Sequence, residues 1–258
     1  MTVIILCGGK GTRMTGSGYE AKALVEVGDR PIIWHIMKIY AHYGLSDFVL
    51  TLGHGAAAIK QYFLDYGPMT QDFTICLGER PEISYHAPHD AASWEIALVD
   101  TGLETNKGGR VRRVLDHIQG EHFHLTYGDG LGDVDLHALT HFHIEHGRLA
   151  TITGYQPHSQ YGIVQVEADG RITGYEEKPL LADWINAGFM LLRREAVEYF
   201  MRGDDDLDLE QDILGQLAAE GELMMYRHTG FWRSMDSFKE AKEMDQLWST
   251  GAPWKVWA

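Results

Sequence analysis

Four short segments carry the residue types that chemistry needs. The first, VIILCGGKGTRM from Val3 to Met14, runs an apolar stretch into Gly8, Gly9 and Gly11, with Lys10 and Arg13 among them. Glycine-rich backbone can turn its amides toward an anion, and two cations add charge, so the segment suits a phosphate. Its spacing fits neither of two well-known nucleotide loops. A dinucleotide fingerprint needs a third glycine where Met14 stands, and a Walker loop needs a glycine-lysine-serine/threonine ending that this stretch lacks. The plain alternative is a surface turn with incidental cations.

The second segment, TYGDG, sets Asp129 between two glycines, and the third, GFWRSMD, ends on Asp236. A lone aspartate at such a point ligates Mg²⁺, caps a helix or closes a turn. The two matter jointly only if folding brings them together, because Mg²⁺ bound to phosphates takes one or two protein carboxylates. In the fourth, YEEKP, Pro179 restricts Lys178 to extended backbone and so fixes its direction. The alternative there is a solvated charge run leaving a strand.

Elements that could position these segments follow from hydrophobic periodicity. TVIILC, DFVLTLG, DFTICLG and HFHLTYG read as strands; PIIWHIMKIYAHYG, AAAIKQYFLDYG and LHALTHFHIEHG read as helices between or after them. Strand and helix alternating with short joints predicts an α/β fold with a doubly wound, mostly parallel sheet. Ligands then bind at the carboxyl ends of strands, where the glycine loop and TYGDG both fall. From about residue 150 the rhythm shifts to strands joined by turns, with ADG the clearest hairpin signal. One domain over 1–258 is expected, its nucleotide-binding part approximately 1–149 and a smaller β-rich lobe with the C-terminal part approximately 150–258.

Composition narrows the partners. The 258 residues are 45% hydrophobic and 23% charged, ordinary for a globular chain, and the net charge of −15 argues against polymeric nucleic acid. Local charge still opposes the global sign, since Lys10, Arg13 and Lys22 face only Glu20 among the first 22 residues. The apolar runs are too short for a bilayer and the N-terminus lacks a basic leader, so a cytoplasmic protein without membrane contact is expected. Cys7 and Cys76 both sit in apolar strand-like runs and read as core residues in a reducing compartment.

Several features take bland readings. In HFHIEH only His143 and His146 are neighbours on a helix, and no adjacent residues complete a zinc site. Trp248, Trp254 and Trp257 read as packing or subunit contacts. The run DDDLDLEQD reads as an acid-rich helix start, with Glu210 able to face a sugar pocket.

Together, VIILCGGKGTRM, AKALVEVGDRPIIWHIMKIY, LTYGDG, GYEEKP, NAGFMLL and GFWRSMD resemble the sugar-1-phosphate nucleotidyltransferases over nearly the whole chain. The phrases LVDTG followed by GGR, and LW followed by APWKVW, are similar to its cytidylyl-transferring branch. The resemblance implies a Rossmann-like nucleotidyltransferase fold, Mg²⁺, and CTP with a sugar 1-phosphate, glucose 1-phosphate first among acceptors, in a homo-oligomer. It implies that Leu6, Gly8, Gly9, Gly11, Thr12, Arg13, Lys22, Thr105, Arg110 and Gly128 hold the nucleotide. Asp129 and Asp236 would hold the metal, with Arg13 and Lys22 completing the catalytic set. Tyr161, Gly162, Glu177, Lys178, Asn186 and Gly188 would receive the sugar phosphate.

The chain departs from the family pattern at EAKA, where lysine-proline-lysine-proline is common, at Gln160 and at Ala187. Loss of both prolines predicts a looser loop around Lys22. The metal pair is intact. Two further readings share the motifs: the same chemistry on another acceptor or nucleotide, and a catalytically silent nucleotide-binding subunit.

Overall fold

The computed structural model describes residues 1–9, 20–78, 82–87, 89, 91 and 93–257. Gly11, Thr12 and Arg13, together with Lys10, lie outside the described residues.

The apolar run after Met1 forms β1 (Thr2–Leu6), buried along its whole length. Such an unbroken buried run suits a strand covered on both faces, as the centre of a parallel sheet requires. It is followed by α1 (Ile32–His42), β2 (Asp47–Leu52), α2 (Ala56–Leu64), the hairpin β3 (Phe73–Cys76) and β4 (Glu82–Tyr85), and β5 (Glu95–Asp100). Next come α3 (Lys107–Arg112), β6 (His122–Tyr127), β7 (Gly130–Gly132), α4 (Leu136–His146) and β8 (Ala150–Tyr155). The chain continues through the hairpin β9 (Ile163–Val166) and β10 (Ile172–Glu176), then β11 (Ile185–Asn186) and β12 (Met190–Arg193). A π-helix (Leu209–Leu214), β13 (Leu223–His228), β14 (Trp232–Ser234) and α5 (Phe238–Thr250) complete it.

The central sheet has eight strands. β5, β2, β1 and β6 are parallel neighbours in that order, β12 joins β6 antiparallel, and β8 pairs antiparallel with β12 and with the short β11 and parallel with β13. From β1 the chain first winds outward to β2 and β5, then returns to β6 on the other side of β1. That reversal puts a topological switch point between the carboxyl ends of β1 and β6, the usual crevice for a ligand in such sheets. Helices cover both faces. α1, α4 and α5 pack on one side through Ile36, Met37, Leu139 and Met244, and α3 with the π-helix packs on the other through Val111, Leu209 and Ile213.

Three expectations change. β3, read as a sheet strand, pairs only with β4, so its residues stay exposed and Cys76 is a surface thiol, whereas Cys7 is buried. Lys178 has φ +49°, not extended backbone. The bend is held by the Ser159 amide on the Pro179 carbonyl (2.8 Å), the Leu181 amide on the Pro157 carbonyl (3.0 Å) and the His158 ring on the Lys178 carbonyl (3.0 Å). These three contacts outweigh the proline's local preference. Lys22 lies in a 3₁₀ turn, Lys22–Leu24, rather than a loose loop, because Ala21 and Ala23 bury their small side chains in the core on either side of it. The acid-rich run does start a helix, of π type, with the Asp208 carboxylate accepting from the Glu210 and Gln211 amides.

The tail tryptophans pack inward: Trp254 is fully buried, and its ring and that of Trp248 lie edge-on to His35. His143 and His146 converge on the Thr151 hydroxyl, each at 2.7 Å. Burial lowers the imidazole pKa of His35 to about 4, and of His124 and His143 to about 3. An unfolded histidine titrates near pH 6.5, so between these values the unfolded chain takes up protons that the folded one refuses. Stability is therefore full above about pH 6.5 and falls as the pH drops toward 4, by at most ~1.4 kcal/mol per pH unit for each histidine. Urea unfolding followed by tryptophan fluorescence should show the midpoint falling from pH 7 to pH 5, less steeply in His143→Gln. A pH-independent midpoint in the wild type would contradict this.

Candidate active site

A cavity of about 580 Å³ opens at the switch point. Its lining includes Leu6, Gly8 and Gly9 after β1, Lys22 from the 3₁₀ turn, Thr105 and Arg110 around α3, Gly128 and Asp129 after β6, and Asp236 before α5. Nine of the residues expected at the nucleotide or metal thus share one wall, although they come from five separate stretches of chain.

The local structure explains how they meet. The Gly128 amide donates to the Leu6 carbonyl (2.9 Å), locking the ends of β1 and β6 side by side. β7 then pairs antiparallel with β14, Ser234 opposite Gly130, and the ladder continues as the Met235 amide donates to the Asp129 carbonyl (2.8 Å). That register delivers Asp236 beside Asp129. Ser237 caps α5 and the Glu240 carboxylate reaches back to the Asp236 amide (2.8 Å), which fixes the backbone just before the helix. The two aspartates are therefore placed by a short β-ladder and a helix cap.

Lys22 closes the arrangement. Its Nζ donates to Asp129 Oδ2 at 2.7 Å and to Asp236 Oδ1 at 2.6 Å. Burial alone would lower the ammonium's pKa, but the two carboxylates outweigh it and leave the pKa above the usual lysine value. One cation thus sits on two hard oxygen donors that point to a common place.

Arg110 is 4% exposed, and its guanidinium is held by backbone rather than by an acid. Nη1 donates to the carbonyls of Leu52 (3.1 Å) and Gly102 (2.8 Å) and to the Thr101 hydroxyl (2.8 Å), and Nη2 donates to the Leu103 carbonyl (3.3 Å). It ties β2 and the turn after β5 to the first glycine of the loop. Gly8 must be glycine here, because a Cβ would lie 2.3 Å from Arg110 Nη1. The same economy of space sets α3 against the 204–207 segment, since a Cβ on Gly109 would lie 2.6 Å from the Asp205 carbonyl oxygen.

The acceptor-side residues divide. Asn186 Nδ2 donates to the Tyr127 hydroxyl (3.2 Å) and Gly188 packs against the Tyr127 ring, so both adjoin the cavity wall. Trp232 Nε1 holds the intervening Ala187 carbonyl (2.8 Å). Tyr161, Glu177 and Lys178 are exposed at the base of the β9–β10 hairpin, with Gly162 beneath the Tyr175 hydroxyl and Glu177; none of the four lines the cavity. The structure adds Tyr127, Asn106 and Lys107, which the sequence reading left out. The signal for the last two was present: Asn106 before KGGR is a helix N-cap, and its side chain accepts from the Lys107 amide. Burial, then the Glu210 carboxylate, raises the Tyr127 hydroxyl above the usual tyrosine range, so it remains a donor to Glu210 Oε1 (2.7 Å).

Truncating the Arg110 guanidinium leaves several buried acceptors without a donor. Arg110→Met should cost about 2–4 kcal/mol in urea unfolding, with Arg110→Lys intermediate because an ammonium cannot span the same fork. A loss under about 1 kcal/mol for Arg110→Met would contradict the clamp.

Residues 2–246 match the family described as nucleotidyl transferase. The chain is 39% identical over 259 residues to the probable glucose-1-phosphate cytidylyltransferase of Bacillus subtilis strain 168. It is 37% identical over 261 residues to the glucose-1-phosphate cytidylyltransferase of Salmonella typhimurium strain LT2, and both matches cover 100% of each chain. Among solved structures, its fold is similar to that of HddC from Yersinia pseudotuberculosis complexed with GMP-PN, with a TM-score of 0.69 and 17% identity, covering 96% of this chain and 99% of that one. The family match over almost all of its length, with two full-length relatives well above 30% identity, establishes that this chain belongs to the nucleotidyl transferase family.

Proposed function

We propose that the chain transfers the cytidylyl group of CTP to a sugar 1-phosphate, α-D-glucose 1-phosphate, giving CDP-glucose and pyrophosphate. The observation that carries this reading is the meeting of Asp129, Asp236 and Lys22 at the switch-point cavity. The choice of CTP and glucose 1-phosphate is supported by the names of the full-length relatives.

In this reaction a phosphate oxygen of the sugar 1-phosphate attacks the α-phosphorus of CTP in line. A new phosphorus–oxygen bond forms, the bond from the α-phosphorus to the oxygen bridging to the β-phosphorus breaks, and pyrophosphate leaves with the electron pair. The attacking oxygen is already ionised near neutral pH, so the step needs positioning and charge neutralisation rather than a general base. The described lining of the cavity suits that demand, with cations and carboxylates but no histidine.

The donor set fits Mg²⁺: two carboxylates converge on one cation, and a magnesium ion serving phosphates takes one or two such ligands and fills its shell with phosphate oxygens and water. Bound by Asp129 and Asp236, Mg²⁺ would neutralise charge on the reacting phosphates. Lys22 holds those carboxylates in register and brings a positive charge directly onto both. Leu6, Gly8, Gly9, Thr105, Arg110 and Gly128, with Gly11, Thr12 and Arg13 of the same loop, take the nucleotide. Asn186 and Gly188 orient the acceptor, joined by Tyr161, Gly162, Glu177 and Lys178 from the hairpin. The part to about residue 149 thus supplies most of the nucleotide side, and the remainder supplies Asp236 and the acceptor side.

The reading extends to a homo-oligomer working in the cytoplasm, where CTP is found. Phe73, Ile75, Ile83 and Tyr85 stand exposed on one face of the β3–β4 hairpin, an apolar surface of the kind subunit contacts cover. No helix among the described residues is long and apolar enough to cross a membrane.

Pyrophosphate release across a grid of nucleoside triphosphates and sugar 1-phosphates with Mg²⁺ tests the reading. Release should be fastest with CTP and glucose 1-phosphate. Asp129→Asn and Asp236→Asn should each lower turnover by about 10²–10³, with CTP binding partly kept. No release from any pair would leave a nucleotide-binding subunit, and wild-type rates in either variant would refute the role of the aspartates.

A further inference from the structure

Glu210 lies behind the cavity wall, in the one segment of described helix that is π rather than α or 3₁₀. Such segments are rare and concentrate at functional sites, because an extra residue in the turn re-aims a side chain. Here the first π-helical turn is pinned by the Asp208 cap, which sets where the Glu210 side chain leaves the backbone.

The carboxylate is used unevenly. Oε1 accepts from both Lys107 Nζ (2.5 Å) and the Tyr127 hydroxyl (2.7 Å), two groups that line the cavity from α3 and from the end of β6. Oε2 is shut away from solvent and has no hydrogen-bond partner among the described residues. A buried carboxylate oxygen without a donor is costly, and a carboxylate serving stability alone would share its two donors between its two oxygens. The arrangement favours the aim of the donors over the comfort of the acceptor.

The aim can be followed outward. Tyr127 gives its proton to Glu210, so its hydroxyl lone pairs face the other way and accept from Asn186 Nδ2 (3.2 Å). Asn186 in turn accepts the Gly188 amide on Oδ1 (3.0 Å). A chain of directed hydrogen bonds therefore runs from Glu210 through Tyr127 to Asn186 and Gly188. Its ring face also carries the Lys107 ammonium at 5.8 Å from the centroid. Tyr127 is two residues before Asp129 and lines the same cavity, so the chain passes beside the aspartate pair.

We propose that Glu210 is a positioning residue for the acceptor: by fixing the donor direction of the Tyr127 hydroxyl it fixes Asn186, and with it the seat of the sugar 1-phosphate. This rests on the reading of the cavity as a nucleotidyl-transfer site with Asn186 on the acceptor side. It assigns to Glu210 no contact with the nucleotide.

Steady-state kinetics separates this from a merely structural ion pair. Glu210→Ala should raise KM for glucose 1-phosphate about tenfold or more while KM for CTP stays within about twofold. Tyr127→Phe should do the same, and the double variant should be no worse than either single one, because both break one chain. Glu210→Gln keeps a carbonyl acceptor for Tyr127 and should restore most of the lost affinity. Equal rises in both KM values, or a lower melting temperature with unchanged kinetics, would overturn the inference while leaving the reaction standing. Calorimetric titration with glucose 1-phosphate reads the same shift without turnover. A wild type that binds the sugar phosphate but releases no pyrophosphate, with binding lost in Glu210→Ala, would sink the reaction and keep the positioning role.

Discussion

The ammonium of Lys22, held 2.7 Å from Asp129 and 2.6 Å from Asp236, is the contact on which the site depends. Two carboxylates that reach one point repel each other, and a cation between them offsets that repulsion. The protein supplies that cation from a turn anchored by Ala21 and Ala23 in the core. The aspartates come from a ladder between β7 and β14 that is only three residue pairs long. Each partner is thus rigid through its neighbours, and the charge balance is local in a chain whose net charge is −15.

A second constraint lies one layer deeper. Arg110 brings a buried positive charge to the mouth of β1 and β2, and its hydrogen-bond partners among the described residues are carbonyls and a hydroxyl. Carbonyl dipoles satisfy the guanidinium's donors without cancelling its charge, so the field reaches the cavity. The glycine at position 8 is the geometric counterpart of this choice, since any side chain there would strike the guanidinium. The nucleotide site proposed at Gly8 and Gly9 thus draws positive charge from Arg110 behind them.

Much of the fold was legible in the sequence because local pattern and tertiary position agree. The apolar run at β1, the helical spacing of α1 and the ADG turn before β10 all specify what they become. Two of the differences share a cause, since a distant partner decides each. Lys178 bends because Pro157, His158 and Ser159 hold its surroundings, and Cys76 is exposed because β3 found β4 rather than the main sheet. The pairing of Asp129 with Asp236, 107 residues apart along the chain, has no signature in spacing and was reached through family resemblance. The link from Glu210 to Tyr127 is of the same kind: the sequence reads the acid run as a helix start from which Glu210 can face a sugar pocket, but spacing does not name its partner.

Asp129 and Asp236 are proposed to form one cation site that serves the substrate phosphates and that Lys22 holds in the absence of metal. Anomalous diffraction from crystals grown with CTP and Mn²⁺ tests it most directly. A manganese peak between the two carboxylates, touching the triphosphate, is the predicted result. A peak elsewhere, or nucleotide bound while the Lys22 ammonium still bridges both aspartates, would contradict it.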